Sequence, residues 1–151
     1  MGDVGRTIAD ALEEFNIGYD AVERDGARLR SAVADGYNAS FGDASDTRLW
    51  RALDLGGRQF SVMTASSIAA GRDWFPSSLA LYPDLHRLWV TGSDDEAAQL
   101  NELGIEAVVS PDESHGLEAA QALLTAFGIA RDAVSAWAER QRARIASPIA
   151  A

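Results

Sequence analysis

The strongest constraint on this 151-residue chain is the way two hydrophobic periods take turns along it. Val4, Ile8, Leu12 and Phe15 recur at helical spacing and make one apolar face. That helix ends near Asn16, and Ile17 to Glu23 reads as a short strand. Ala27 to Ala34 reads as a helix closed by Asp35-Gly36, and Tyr37 to Phe41 as a weak strand ending in Gly42-Asp43. Ser45 or Asp46 is placed to cap the helix carrying Leu49, Trp50 and Leu53, which Gly56-Gly57 breaks. Phe60 to Thr64 is a strand. Ser66 to Tyr82 has helical rhythm but is interrupted at Gly71 and Pro76, so a break is expected there, with Pro76 opening a second helical piece. Leu88–Thr91 is a strand, Asp94–Leu103 a helix ended by Gly104, and Ala107–Ser110 a strand. Leu117, Ala120, Leu124 and Phe127 stripe a further helix, and Ala130–Ala146 forms the last, before a tail from Ser147 that reads as frayed.

Strands alternating with helices across short connections specify βαβ units. The expected class is α/β: a Rossmann-like doubly wound parallel sheet in three layers, α/β/α. Residues 1–128 make the domain, and 129–151 a C-terminal helix and tail. In the last helix Val134, Trp137 and Arg144-Ile145 are candidates for one face. Four arginines cluster in 131–144, which fits either a solvated helix or one that crosses onto a partner subunit.

Composition removes most catalytic toolkits. There are no cysteines, so thiolate catalysis and thiolate metal sites are excluded. All 13 basic residues are arginines, which removes Schiff-base chemistry, the phosphate-binding lysine of a P-loop and a Tyr-Lys dehydrogenase pair. His86 and His115 are the only histidines; they have no metal-ligand spacing and read as surface positions. A net charge of −10 argues against nucleic acid and against docking on anionic lipid. No apolar run approaches the roughly 20 residues that span a bilayer, and the start is not that of a signal peptide. Trp50, Trp74, Trp89 and Trp137 read as packing residues, with Trp74-Phe75 a candidate subunit contact.

What remains is an anion-binding signature. Gly2-Asp3-Val4-Gly5 opens a helix, and Glu23 lies 18 residues after Gly5 at the end of the next strand. This is the second half of the G-x-G-x-x-G fingerprint with its acidic residue about 20 positions on. One glycine admits a phosphate to the backbone, and the next allows close helix–strand packing. The helix start offers free N–H groups to an anion, and a carboxylate at Glu23 accepts from ribose hydroxyls. The strand that normally precedes this motif, and its first glycine, are missing, so the domain is expected to begin one strand late.

The chain resembles the RCK-N (TrkA-N) domain, most closely the cytoplasmic domain of Kef-type potassium/proton antiporters. The resemblance rests on segments in order: Gly-Asp-Val-Gly-Arg at 2–6, Ala-Val-Glu-Arg-Asp at 21–25, Asp-Gly-Tyr at 35–37, Phe-Gly-Asp-Ala-Ser-Asp at 41–46, and Leu-Tyr-Pro-Asp-Leu-His at 81–86. Residues 96–111 and 117–124 continue it. It implies a regulatory, non-enzymatic domain binding AMP, ATP or NAD(H), with no metal. It also implies a homodimer acting on a membrane-embedded cation transporter, in cis or in trans, at the cytoplasmic face of the membrane. By that match Gly2, Asp3, Val4 and Gly5 line the phosphates, Glu23 holds the ribose and Arg24 lies near the adenosine. Gly42, Asp43 and Ala44 meet the adenine edge, and Thr64 and Ala65 close the pocket. Asp3 departs from the family, where arginine is common and meets a phosphate. Two other readings stay open: an oxidoreductase's NAD(P)-binding domain, which lacks any catalytic constellation here, and a dimerising remnant that binds no nucleotide. In the family's strand order 3-2-1-4-5-6, loss of the first strand leaves its two neighbours with unpaired edges.

Overall fold

The computed structural model describes residues 1–64, 74–110 and 116–146, without the side chains of Trp74 and Phe75. The elements run α1 (Asp3–Glu14), β1 (Ala21–Glu23), α2 (Gly26–Ala34), β2 (Ala39–Phe41), α3 (Thr47–Ala52), a 3-10 turn (Leu55–Gly57), β3 (Phe60–Met63), α4 (Trp74–Leu81), β4 (His86–Thr91), α5 (Asp94–Glu102), β5 (Glu106–Val109), α6 (Leu117–Ala126) and α7 (Arg131–Ala146).

All strand pairings are parallel, and they fall into two sheets, β1-β2 and β3-β4-β5. That is the doubly wound order with its central strand taken out: two strands on one side of the gap, three on the other. Met1 and Gly2 are the residues before α1.

Strand β4, paired on both sides, is buried from Arg87 to Thr91. Its alternation builds both interior layers. Leu88 and Val90 join Ile8, Leu12, Leu123, Leu124, Val134 and Trp137 on one face. Trp89 joins Trp50, Leu100 and Ile105 on the other. Helices therefore cover both faces, which makes the third layer. The apolar face of α7 is spent inside this chain, because Val134, Trp137 and Ala138 belong to the same cluster as α1 and α6. Ile145, expected on that face, is 41 % exposed.

Helix ends follow their local chemistry. Asp25, Asp46 and Ser93 cap α2, α3 and α5 by accepting from backbone N–H groups of the first turn; of the two candidates for α3, Asp46 is the cap. At the end of α1, Asn16 takes the left-handed conformation (φ 56), and the Ile17 N–H reaches back to Leu12 O at 2.8 Å. Gly104 does the same after α5.

Four expectations are corrected. The first strand is Ala21–Glu23 rather than Ile17–Glu23, because Ile17 and Tyr19 are apolar for the core cluster they pack against and not for a ladder. The second is Ala39–Phe41 rather than Tyr37–Phe41: the Tyr37 N–H closes α2 by donating to Ala32 O at 3.0 Å. Pro76 does not open a helical piece. It is preceded in α4 by Trp74 and Phe75, and the break expected before it lies outside the described residues. Gly71, His115 and the tail from Ser147 lie outside the described residues. His86 opens β4 instead of preceding it; it is exposed and stacks on Phe60 with ring centroids 5.1 Å apart.

Candidate functional site

Carboxyl ends of parallel strands and the helix starts beside them are where doubly wound sheets hold ligands. Here the relevant pieces are the start of α1 and the ends of β1 and β2. Gly2 caps α1 in an extended conformation without a side-chain cap bond. The first intrahelical bond is Arg6 N–H to Gly2 O at 3.0 Å. Among the described residues nothing accepts from the N–H groups of Asp3, Val4 or Gly5, so three donors point out of a positive helix end.

Glu23 ends β1 beside that helix start. Its Oε2 lies 2.5 Å from the Met1 α-ammonium, and its Oε1 accepts the Asp25 N–H at 2.8 Å. The side chain is only 14 % exposed. Burial alone would raise its pKa. The Met1 ammonium and the N–H groups of Asp25 and Arg24 outweigh that and hold it below the usual carboxylate value. The Met1 side chain meanwhile lies over Gly5: a Cβ added to Gly5 would come within 2.9 Å of Met1 Cγ. Met1 thus covers both the glycine and the carboxylate of the sequence motif.

The β2 end joins the same place. The Gly42 N–H donates to Glu23 O at 3.2 Å, and a Cβ at Gly42 would meet Leu49 Cδ2 at 2.8 Å and Val22 Cγ1 at 3.1 Å. Asp43 is exposed; its Oδ1 accepts from the Ser45 N–H and hydroxyl at 2.9 and 2.8 Å, which lowers its pKa with help from Arg24 nearby. Ala44 O accepts the Trp50 Nε1–H at 2.7 Å, fixing the turn to the core. Arg24 is exposed. Gly2, Asp3, Val4, Gly5, Glu23, Arg24, Gly42, Asp43 and Ala44 are therefore brought together. Thr64 sits just beyond β3 and is exposed; Ala65 lies outside the described residues.

Asp3 is exposed in the first turn of α1. Its charge favours the helix and opposes an anion at the three free donors.

Sequence reasoning missed Met1, Arg6 and Gly116. The Arg6 guanidinium bonds Asp35 Oδ2 at 2.5 Å and Ser31 Oγ at 2.8 Å, and lies 5.2 Å from the Tyr37 ring centroid. It ties the start of α1 to the end of α2. Gly116, with φ +55, lets the start of α6 lie against α1: a Cβ there would fall 2.9 Å from Val4 Cα. Asp35-Gly36 was visible as a helix stop and as part of the resemblance, without its tie to Arg6, and nothing in the spacing of Gly116 announces its contact.

The model of the TrkA-N domain family matches residues 1–111, which include every predicted site residue. No curated protein matches. Among solved structures, the chain is similar to one described as the TrkA-N domain of the inner membrane protein ybaL from Escherichia coli. The two are 22% identical, the match covers 82% of this chain and 89% of that chain, and the TM-score is 0.64. At that identity the likeness speaks for the fold alone.

Proposed function

The chain belongs to the TrkA-N domain family, and from that premise we propose that it is a regulatory module for a membrane-embedded cation transporter. It binds an adenine nucleotide, AMP, ATP or NAD(H), across the start of α1 and the ends of β1 and β2. Occupancy acts on the transporter through a homodimer, at the cytoplasmic face of the membrane. A ligand does this only by binding one dimer state better than another. No catalysis is needed.

The observation that carries the reading is the half-buried Glu23 carboxylate set against the open N–H groups of α1. One group suits ribose hydroxyls and the other phosphate oxygens. Asp3 favours ligands of lower phosphate charge, so AMP and NAD(H) are expected ahead of ATP. The solved relative carries its domain in a protein described as an inner membrane protein. In this chain no described helix is long and apolar enough to cross a membrane, so the transporter spans belong to other residues or to another chain.

Calorimetry with AMP, ATP, NAD and NADH tests this. Saturable binding of at least one is expected; binding of none favours a dimerising remnant. Hydride transfer from NADH is expected to be absent, and turnover would instead favour the oxidoreductase reading.

A further inference from the structure

Helices α1 and α2 lie side by side and run in one direction, fixed by contacts at three successive levels. Arg28 Nη1 lies 3.9 Å from the place a Cβ on Gly2 would take. One turn along, the Arg6 guanidinium bonds Ser31 Oγ at 2.8 Å and Asp35 Oδ2 at 2.5 Å. Further on, the Tyr37 hydroxyl donates to Asp10 Oδ1 at 2.8 Å. The two helix starts are therefore level, at the end of the sheet where the strands end and where this kind of fold holds its ligands.

Arg28 stands in the first turn of α2 because Asp25 caps that helix. Asp25 Oδ1 accepts the N–H groups of Ala27 and Arg28 at 2.8 and 3.0 Å. The Arg28 side chain is exposed. Among the described residues no carboxylate or carbonyl meets its guanidinium. Two neighbouring arginines differ from it. Arg6 is spent on Asp35 and Ser31, where it holds the helices together. Arg24 lies near Asp43, at the end of β2. Arg28 is the uncommitted cation beside Gly2, next to the open N–H groups of Asp3, Val4 and Gly5. Asp3 opposes an anion there, and Arg28 brings the opposite charge to the same place.

We propose that Arg28 is the phosphate-binding side chain of the nucleotide site, taking the 5′-phosphate of an adenine nucleotide. The assignment rests on the nucleotide-binding reading above. A guanidinium presents its N–H donors in a planar fork, and two of them meet two oxygens of one phosphate. The α1 start supplies donors on one side of that phosphate, and the fork closes it from the α2 side. Arginine thus reaches the site from the second helix, while position 3, in the first, carries an aspartate.

The test titrates the full 151-residue chain with AMP and with adenosine by calorimetry. Adenosine has the base and ribose without the phosphate, so the ratio of the two affinities isolates the phosphate contact. Arg28→Gln is expected to weaken AMP binding by about tenfold or more, as loss of a charge-assisted pair does, and to leave adenosine unchanged. Arg28→Lys keeps the charge without the fork and is expected to fall between. Arg30→Gln controls for net charge, because Arg30 Nη1 lies 3.5 Å from the place of a Cβ on Gly26, at the start of its own helix. It is expected to change AMP affinity by about twofold or less, since solvent screens a charge that makes no contact. Equal AMP affinity in wild type and Arg28→Gln would overturn the assignment and leave the nucleotide site standing. Equal losses of AMP and adenosine would make Arg28 a structural residue, and an equal loss in Arg30→Gln would reduce its effect to net charge; either overturns the assignment. A wild-type chain that binds neither ligand overturns the site and the assignment together.

Discussion

The α-ammonium of Met1 stands 2.5 Å from Glu23 Oε2, so the chain's first residue occupies the carboxylate that a ribose would use. Met1 also lies over Gly5, the glycine of the α1 start. A nucleotide bound as proposed would compete with the N-terminus for this site. Acetylating the α-amine removes its charge and is expected to raise nucleotide affinity in calorimetry, while Glu23→Gln lowers it. Unchanged affinity after acetylation would mean that Met1 leaves the site at no cost.

The same contact makes stability depend on pH with a definite sign. The Glu23 pKa is lowered in the folded chain relative to 4.5. A lowered acid contributes stability that is present above the unfolded value and is lost as pH falls through the folded one. Urea midpoints are expected to hold from neutrality down to about pH 5 and to fall below that. Glu23→Gln is expected to be less stable near neutrality and to lose part of the acid slope. An identical slope in the variant would assign the acid loss to other carboxylates.

Asp3→Arg reverses a charge at the end of a helix whose first N–H groups are free. Two unit charges about 4 Å apart interact by roughly 1 kcal/mol in water, and more where solvent is partly excluded. The variant is expected to bind nucleotides several-fold more tightly, ATP gaining most because it carries most charge. The helix itself is expected to lose a few tenths of a kcal/mol, since a cation now faces its positive end. Equal gains for adenosine and ATP would rule out a phosphate at this position.

Most of this was legible in the sequence where the signal was local. Helix faces repeat every turn, so the spacing of Ile8, Leu12, Leu117 and Leu124 already assigns them to the core they occupy. Carboxyl ends of strands follow from the alternation, which located Glu23 and Gly42. Strand lengths were not legible, because apolar Ile17 and Tyr19 serve a core and not a ladder. Nor were the contacts of Met1, Arg6 and Gly116, which depend on elements distant in sequence.

Arg87 is 6 % exposed, and its charge is met by neutral acceptors alone among the described residues. It donates to Ser78 Oγ at 3.1 Å and to the carbonyls of Ser78, Tyr82 and Leu85 at 2.5 Å each. Burial lowers its pKa. The guanidinium fork thus docks the end of α4 on β4. Arg87→Lys loses the planar fork and the reach to several acceptors at once. A cost of about 2 kcal/mol is expected from the acceptors left unsatisfied. Chemical denaturation that gives a lower midpoint with an unchanged slope would bear this out; a cost near zero would show that α4 is held without it.

Gly116 offers a sharper contrast, because Gly104 serves as its control. Both have positive φ, +55 and +75. Alanine at Gly104 would meet nothing within 4 Å, so Gly104→Ala is expected to cost about 1 kcal/mol, the conformational penalty alone. Alanine at Gly116 would set a Cβ 2.9 Å from Val4 Cα and 3.0 Å from Val4 O. Those are backbone atoms of the α1 start and cannot swing aside. Gly116→Ala must therefore displace the helix that presents the free N–H groups. It is expected to cost more stability than Gly104→Ala and, unlike it, to weaken nucleotide binding in the fraction that stays folded. Equal stabilities and affinities for the two variants would mean that the α1 start yields freely, and that its placement against α6 does not set the site.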